Sequence, residues 1–269
     1  MKIGIVGAGR VGISLGRYLR YRNFSISGYL KREGKDLSRL GWRSFESYTE
    51  IAAQSDIILI AVPDDEIIHV WDKLSKENIG GRCVIHTSGA VSSEIFSGAE
   101  ELGAEAASLH PMMTFSDTDT AMNRMEEMSL VLEGDSPQAK KLIERLGNKY
   151  FSVEKKFKMR YHLAGVYASN LIIPMIHRGI DNLQRCGFSE EEAKNILLPL
   201  VEKTVENIGK KGIKDSVTGP LQRGDLNTLK GHLNSQERWE RDLYLAGSRE
   251  LLKIVGGNKE IEGILEEKR

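Results

Sequence analysis

The first dozen residues constrain this chain most. The apolar run Ile3-Gly4-Ile5-Val6 leads straight into Gly7-Ala8-Gly9-Arg10-Val11-Gly12, after which the pattern turns helical. Each glycine in such a junction has its own reason. Gly7 permits the tight turn, Gly9 lets the backbone approach a pyrophosphate, and Gly12 lets the helix pack closely on the strand. The pyrophosphate would then rest on free backbone N–H groups at the positive end of a helix dipole. A glycine turn kept for packing alone is the competing explanation.

The following residues support the nucleotide reading, because short apolar runs alternate with helical patterns up to about residue 153. Strands are predicted at 2–7, 25–30, 42–45, 56–62, 82–87, 105–109, 128–133 and 150–153, and helices at 10–22, 47–54, 65–75, 92–102 and 137–147. Alternation of this kind signals repeated β-α units and a parallel sheet. The run at 57–62 is apolar on both faces, as a central covered strand must be. From about Lys158 only helical periodicity remains. One long helix is predicted over 159–185 with a kink at Pro174, and a second runs to about 210 behind a Ser189/Glu192 capping box. A breaker-rich stretch, 209–225, and helices at 226–233 and 236–255 complete the chain. The predicted fold is α/β: a Rossmann-type doubly wound parallel sheet (1–153) followed by an all-α C-terminal domain (154–269).

The end of the second strand bears on which dinucleotide binds. An acidic residue there holds the ribose 2′-hydroxyl of NAD. This chain has Tyr29-Leu30-Lys31-Arg32 instead. Lys31, Arg32 and Arg10 are suited to a 2′-phosphate, so NADP is expected; solvated surface cations are the alternative.

Ligands of open parallel sheets lie beyond the carboxyl ends of the strands. Those ends supply Ala61-Val62-Pro63, Thr87-Ser88-Gly89-Ala90 and His110-Pro111-Met112. The small residues leave room for a nicotinamide ribose. Ser88 can orient a reacting group or cap the helix expected near Ser92. Pro111 is expected to end its strand and leave His110 at the rim, where an imidazole could protonate a reduced carbonyl or imine. A strand-end histidine holding a loop is the alternative. His86 reads as structural, and His69 and His232 as surface helix residues. No histidine has metal-ligand spacing, so no metal is expected.

The series Gly7–Gly12, His86-Thr87-Ser88-Gly89-Ala90, His110-Pro111-Met112, Tyr161-His162-Leu163-Ala164 with Ser169-Asn170, and Thr218-Gly219-Pro220-Leu221-Gln222-Arg223-Gly224-Asp225 resembles a family joining a Rossmann-like NADP-oxidoreductase domain to a helical domain of long-unassigned function. The resemblance implies kinship with enzymes whose helical domain is like that of 6-phosphogluconate dehydrogenase, among them ketopantoate and pyrroline-5-carboxylate reductases. It also implies dimerisation through that domain. In the hydroxyacid and ketopantoate enzymes a lysine four residues before an asparagine is the acid; here the matching Asn170 is preceded by Val166, so that lysine is missing. His110-Pro111 is similar to the His-Pro of prephenate dehydrogenases. His110 or His162 could replace the lysine, and His110 is favoured. Arg223 could fork onto a substrate carboxylate, with Asp225 holding it or capping the next helix.

Composition excludes several other functions. Basic and acidic residues balance at 38 each, against a nucleic-acid or anionic-membrane partner. No apolar run is long enough to span a membrane. With no charged leader before Lys2 and only two cysteines, Cys83 and Cys186, a cytoplasmic protein with reduced packing thiols is expected. The expected activity is hydride transfer between NADP(H) and a small carboxylate-bearing keto acid or imine, with a ketopantoate-like substrate the most concrete guess. A non-catalytic NADP(H) sensor or scaffold is the alternative reading, and a prephenate-type dehydrogenase a minor one.

Overall fold

The computed structural model describes residues 1–30, 41–118 and 122–266. The chain divides into two compact units, Met1–Asn170 and Leu171–Arg269. Strands β1 (Lys2–Val6), β2 (Ser25–Leu30), β3 (Ser44–Phe45), β4 (Ile57–Ile60), β5 (Cys83–His86), β6 (Glu105–Met112), β7 (Ser129–Glu133) and β8 (Tyr150–Ser152) form one sheet in the order β3-β2-β1-β4-β5-β6-β7-β8. The first six strands are parallel and follow the dinucleotide-binding order, with the topological switch between β1 and β4. β7 runs antiparallel to β6, a departure from the all-parallel expectation.

Two apolar layers cover the sheet, and β4 shows how alternation assigns them. Ile57 and Leu59 enter the cluster with Leu15 and Tyr18 of α1 (Arg10–Tyr21) and Leu142 of α5 (Pro137–Leu146). Ile58 and Ile60 enter the opposite cluster, with Ile51 of α2 (Tyr48–Gln54) and Trp71 of α3 (Ile67–Leu74). Successive side chains point to opposite faces, so a strand covered on both must be apolar throughout.

Several boundaries differ from the sequence reading. The helix expected at 92–102 is a single 3₁₀ turn, Ser93–Phe96, ending where Gly98 takes a φ of +80°. Strand β6 does not stop at residue 109: His110 pairs with Val131 and Pro111 with Leu130. Pro111 is tolerated because β5 accompanies β6 only as far as Ser108, leaving one edge open beyond it. The long helix of 159–185 is two, α6 (Lys158–Ala168) and α7 (Ile172–Arg185). Pro174 lacks an N–H, and its ring would collide with the carbonyl of residue 170 in a continuous helix; the break falls there, placing Pro174 in the tolerated first turn of α7. The short helix α4 (Met122–Glu127) was not anticipated.

The second unit is helical. After α7, the helix α8 (Glu190–Lys211) opens with the Ser189/Glu192 capping box. The stretch read as a loop contains two short helices, α9 (Ile213–Ser216) and α10 (Pro220–Arg223). Then come α11 (Leu226–Asn234), α12 (Arg241–Val255) and α13 (Lys259–Glu266), the last unforeseen because Gly256 and Gly257 read as a final stop. Both do stop α12, with φ of +103° and +82°. Among the described residues no helix is long and apolar enough to cross a membrane.

Candidate active site

The glycine loop separates three steric roles. A Cβ on Gly7, whose φ is +103°, would meet the Ala61 carbonyl oxygen at 2.4 Å. One on Gly12 would meet the Gly7 carbonyl oxygen at 2.1 Å, so both are bound by their own protein surroundings. Around Gly9 a Cβ would find nothing within 4 Å among the described residues. Gly9 is also the N-cap of α1 and, lacking a side chain, provides no cap for the first-turn N–H groups.

Beside the loop lies a cavity of about 410 Å³ whose lining includes Gly9, Arg10, Val11, Ala61, Val62, Pro63, Thr87, His110 and Pro111. It follows the carboxyl ends of β1, β4, β5 and β6. Arg10 donates to the Ser116 carbonyl (3.1 Å), so its guanidinium is partly engaged by the loop after β6. Ala8 is buried in the turn. Lys31 and Arg32 lie outside the described residues.

Ser88 and Gly89 sit where β5 ends, with roles more local than expected. Ser88 Oγ accepts from Ala90 N (3.1 Å) and Val91 N (3.0 Å), closing its own turn. It does not cap the 3₁₀ turn that follows, which Ser92 does. A Cβ on Gly89 would stand 2.8–2.9 Å from His162 Cδ2 and from Cε1 and Nε2 of His110, so this glycine makes room for two imidazoles.

A second cavity of about 410 Å³ shares His110 with the first and brings in Met112, His162, Val166, Ser169 and Asn170. Three expected site residues, His110, His162 and Asn170, therefore line one space. Asn170 lies past the end of α6, where its Oδ1 accepts from Ser169 Oγ (3.0 Å). Among the described residues no Lys or Arg lines this cavity.

The match of α6 to β6 explains the clustering. Helix neighbours at i, i+3/4 and i+7 share a face, and alternate strand residues share theirs. Lys158 thus meets Ser108, Tyr161 and His162 meet His110, and Gly165 meets Met112. His110 Nδ1 lies 2.6 Å from the Tyr161 hydroxyl. Lys158, 2% exposed, donates to Ser108 Oγ (2.5 Å), which donates to the Ser88 carbonyl (3.1 Å). Sequence reasoning missed Lys158, Ser108 and the role of Tyr161. The signal was available in the register of 158/161/162/165 against 108/110/112.

Burial dominates the electrostatics. It lowers His110 to about 4, helped by the charge of Lys158 and by His162. Burial likewise lowers Lys158 to about 8 against the opposing pull of Glu133 and Asp64, and raises Tyr161 to about 12. His86 is held at about 4 by burial and then by Lys158. Both histidines bind fewer protons folded than unfolded between pH 6.5 and 4, so stability falls as pH drops through that window and is fully present above it. For fully buried His86 the loss between pH 7 and 4.5 is expected to be on the order of 2 kcal/mol. Urea midpoints of wild type and His86→Asn test this: an acid loss equally large in the variant would remove His86 as its source.

The remaining expectations fall elsewhere. Asp225 caps α11, accepting from Thr228 N (3.1 Å) and Thr228 Oγ1 (2.7 Å). Arg223 is exposed at the end of α10. His69 and His232 are exposed helix residues. Cys83 is buried, its thiol pushed up to about 12 by burial, whereas Cys186 is exposed at the end of α7 and is no packing residue.

Residues 1–111 match the model of a Rossmann-like domain, and residues 130–251 match a domain of unknown function, DUF2520. None of the curated proteins matches the chain by sequence. Among solved structures, a protein from Thermotoga maritima is 26% identical with a TM-score of 0.71, over 94% of this chain and 98% of that one. Pyrroline carboxylate reductase of Plasmodium falciparum, solved with NADP bound, is 17% identical with a TM-score of 0.64, over 95% and 98%. An imine reductase from Myxococcus stipitatus in complex with NADP⁺ is 18% identical with a TM-score of 0.65, over 96% of each chain. At such identities the last two establish a shared fold.

Proposed function

We propose that this chain, which joins a Rossmann-like domain to a DUF2520 domain, is an NADP(H)-dependent reductase of a small carboxylate-bearing imine or keto acid. The observation that carries the reading is that Gly9, whose Cβ would meet nothing among the described residues, and His110 line one cavity. Gly7 to Gly12 would hold the pyrophosphate, with Lys31, Arg32 and Arg10 on the 2′-phosphate and Ala61, Val62, Pro63, Ser88 and Gly89 flanking the nicotinamide half. Bound NADPH supplies the hydride. His110 faces the charge that builds on the substrate heteroatom, and His162 and Asn170 line the same cavity and orient the substrate. The likeness in fold to imine and pyrroline carboxylate reductases supports a C=N or C=O substrate.

Nucleotide titration followed by turnover assays tests this directly. Purified protein is expected to bind NADPH more tightly than NADH, and to oxidise NADPH with a small imine or keto acid carrying a carboxylate. Silence toward both reduced coenzymes in calorimetry and fluorescence would end the proposal. Binding without turnover across a broad panel would instead favour the sensor reading.

We assign a substrate carboxylate to Arg223, whose guanidinium can fork onto it. Asp225, occupied as a helix cap, is left out. Arg223→Met is expected to raise KM for carboxylate substrates roughly 10- to 100-fold, the weight of a charge-assisted fork. An unchanged KM for every such substrate would remove Arg223 from the site.

A homodimer through the helical unit belongs to the same proposal. Helix α8 buries Ala193 alone while exposing Ile196, Leu198, Leu200, Val205 and Ile208, and α7 exposes Ile172, Ile173 and Met175. Apolar surface of this extent calls for a cover. Light scattering is expected to give twice the chain mass of 30.1 kDa, and a monomer at micromolar concentration would contradict the assignment.

A further inference from the structure

His110 can serve a reacting atom as hydrogen-bond donor only if its nitrogen away from Tyr161 carries the proton. Nδ1, 2.6 Å from the Tyr161 hydroxyl, permits two arrangements. If Nδ1 donated to the tyrosine oxygen, the phenolic proton would be left to solvent. Among the described residues the hydroxyl has no other hydrogen-bond partner. If Tyr161 donates to Nδ1, one bond satisfies both groups and the imidazole proton resides on Nε2, at the edge next to Gly89.

Charge favours the same state. The ammonium of Lys158 is buried, lies 5.8 Å from the Tyr161 ring centroid, and forms no ion pair among the described residues. A second cation beside it is disfavoured, which opposes protonation of His110. The groups facing His110 are Tyr161, His162 and Lys158 from α6 and His86 from β5. Those facing Lys158 include Glu133 of β7 and Asp64 after β4; the Glu133 carboxylate already accepts from Ser93 N and Ser93 Oγ.

We propose that Tyr161 and Lys158 are positioning residues that keep His110 neutral with its proton on Nε2, so that the site presents a donor to a carbonyl oxygen or an unprotonated imine nitrogen rather than an acceptor to an iminium N–H. The inference rests on the reductase reading for its consequence. The state of His110, however, is measurable without coenzyme or substrate.

Two-bond ¹H–¹⁵N spectra of the full-length protein labelled at histidine nitrogen report that state, with the His110 signals assigned from a His110→Gln sample. Wild type is expected to show His110 as the Nε2–H tautomer, unprotonated at Nδ1, from pH 8 to 5. Tyr161→Phe, which keeps the ring and removes the hydroxyl, is expected to yield a mixture of tautomers. Lys158→Met is expected to raise the His110 titration midpoint by roughly one pH unit. An Nδ1–H tautomer or an imidazolium at pH 7 in wild type would overturn the proposal, as would a Tyr161→Phe spectrum identical to wild type. Should Lys158→Met fail to fold, Ser108→Ala, which removes the acceptor fixing the ammonium, is expected to move the midpoint, and an unmoved midpoint counts against Lys158. A protein that binds no NADPH yet shows the Nε2–H signature would sink the reductase reading and leave this one standing.

Discussion

Alanine at position 110 is expected to lower kcat roughly 10²- to 10⁴-fold, the range for loss of a group that moves or shares a proton in the transition state. The reason is positional. His110 is the histidine that lines both the cavity opening on the glycine loop and the cavity reaching His162 and Asn170. Its ring is held by Tyr161 at Nδ1 and hemmed by Gly89. NADPH affinity should change little, since no glycine-loop contact passes through the imidazole. Because His110 is neutral down to about pH 4, the rate should not fall as pH rises through 6.5, as it would for an imidazolium acid with an ordinary pKa. Steady-state kinetics of His110→Ala with the best substrate decide the matter: turnover within a few-fold of wild type would assign His110 to the scaffold.

Substitutions in the glycine loop should separate stability from binding. Gly9→Asp is expected to leave the melting temperature unchanged or raise it, because Asp is a favoured N-cap and its charge suits the helix terminus. The same carboxylate occupies the first-turn N–H groups and repels a pyrophosphate. NADPH affinity should fall at least about 100-fold, or roughly 3 kcal/mol. Gly12→Val should instead lose both, since its Cβ would stand 2.1 Å from the Gly7 carbonyl oxygen and the helix cannot retreat from the strand without opening the turn. Differential scanning fluorimetry with and without NADPH distinguishes these cases. A Gly9→Asp protein that melts early, or still binds with wild-type affinity, would show that the loop does not work as a phosphate cradle.

Elements defined by local periodicity and by glycine were legible before any coordinates. The Gly7–Gly12 junction, the doubly apolar strand β4 and the capping box of α8 each follow from chemistry within a few residues. Elements whose limits depend on distant partners were not. The extension of β6 through Pro111 requires β7 on one side and the early end of β5 on the other. The 3₁₀ turn after β5 is tied down by Glu133, forty residues away.

The site divides along the same line. Local sequence was enough to show that a glycine turn opens a Rossmann sheet, because strand alternation and glycine sterics act over one or two turns of chain; the continuation of β6 past His110 to Met112 was not local. Only tertiary packing joins Lys158 to Ser108 and Tyr161 to His110, pairs 50 and 51 residues apart, into one buried to half-buried group. Nothing local to Lys158 marks it as different from Lys155 or Lys156, which remain in water in exposed ion pairs. Packing α6 onto β6 takes the ammonium out of solvent, and only there do its charge and its neighbours' protons depend on one another.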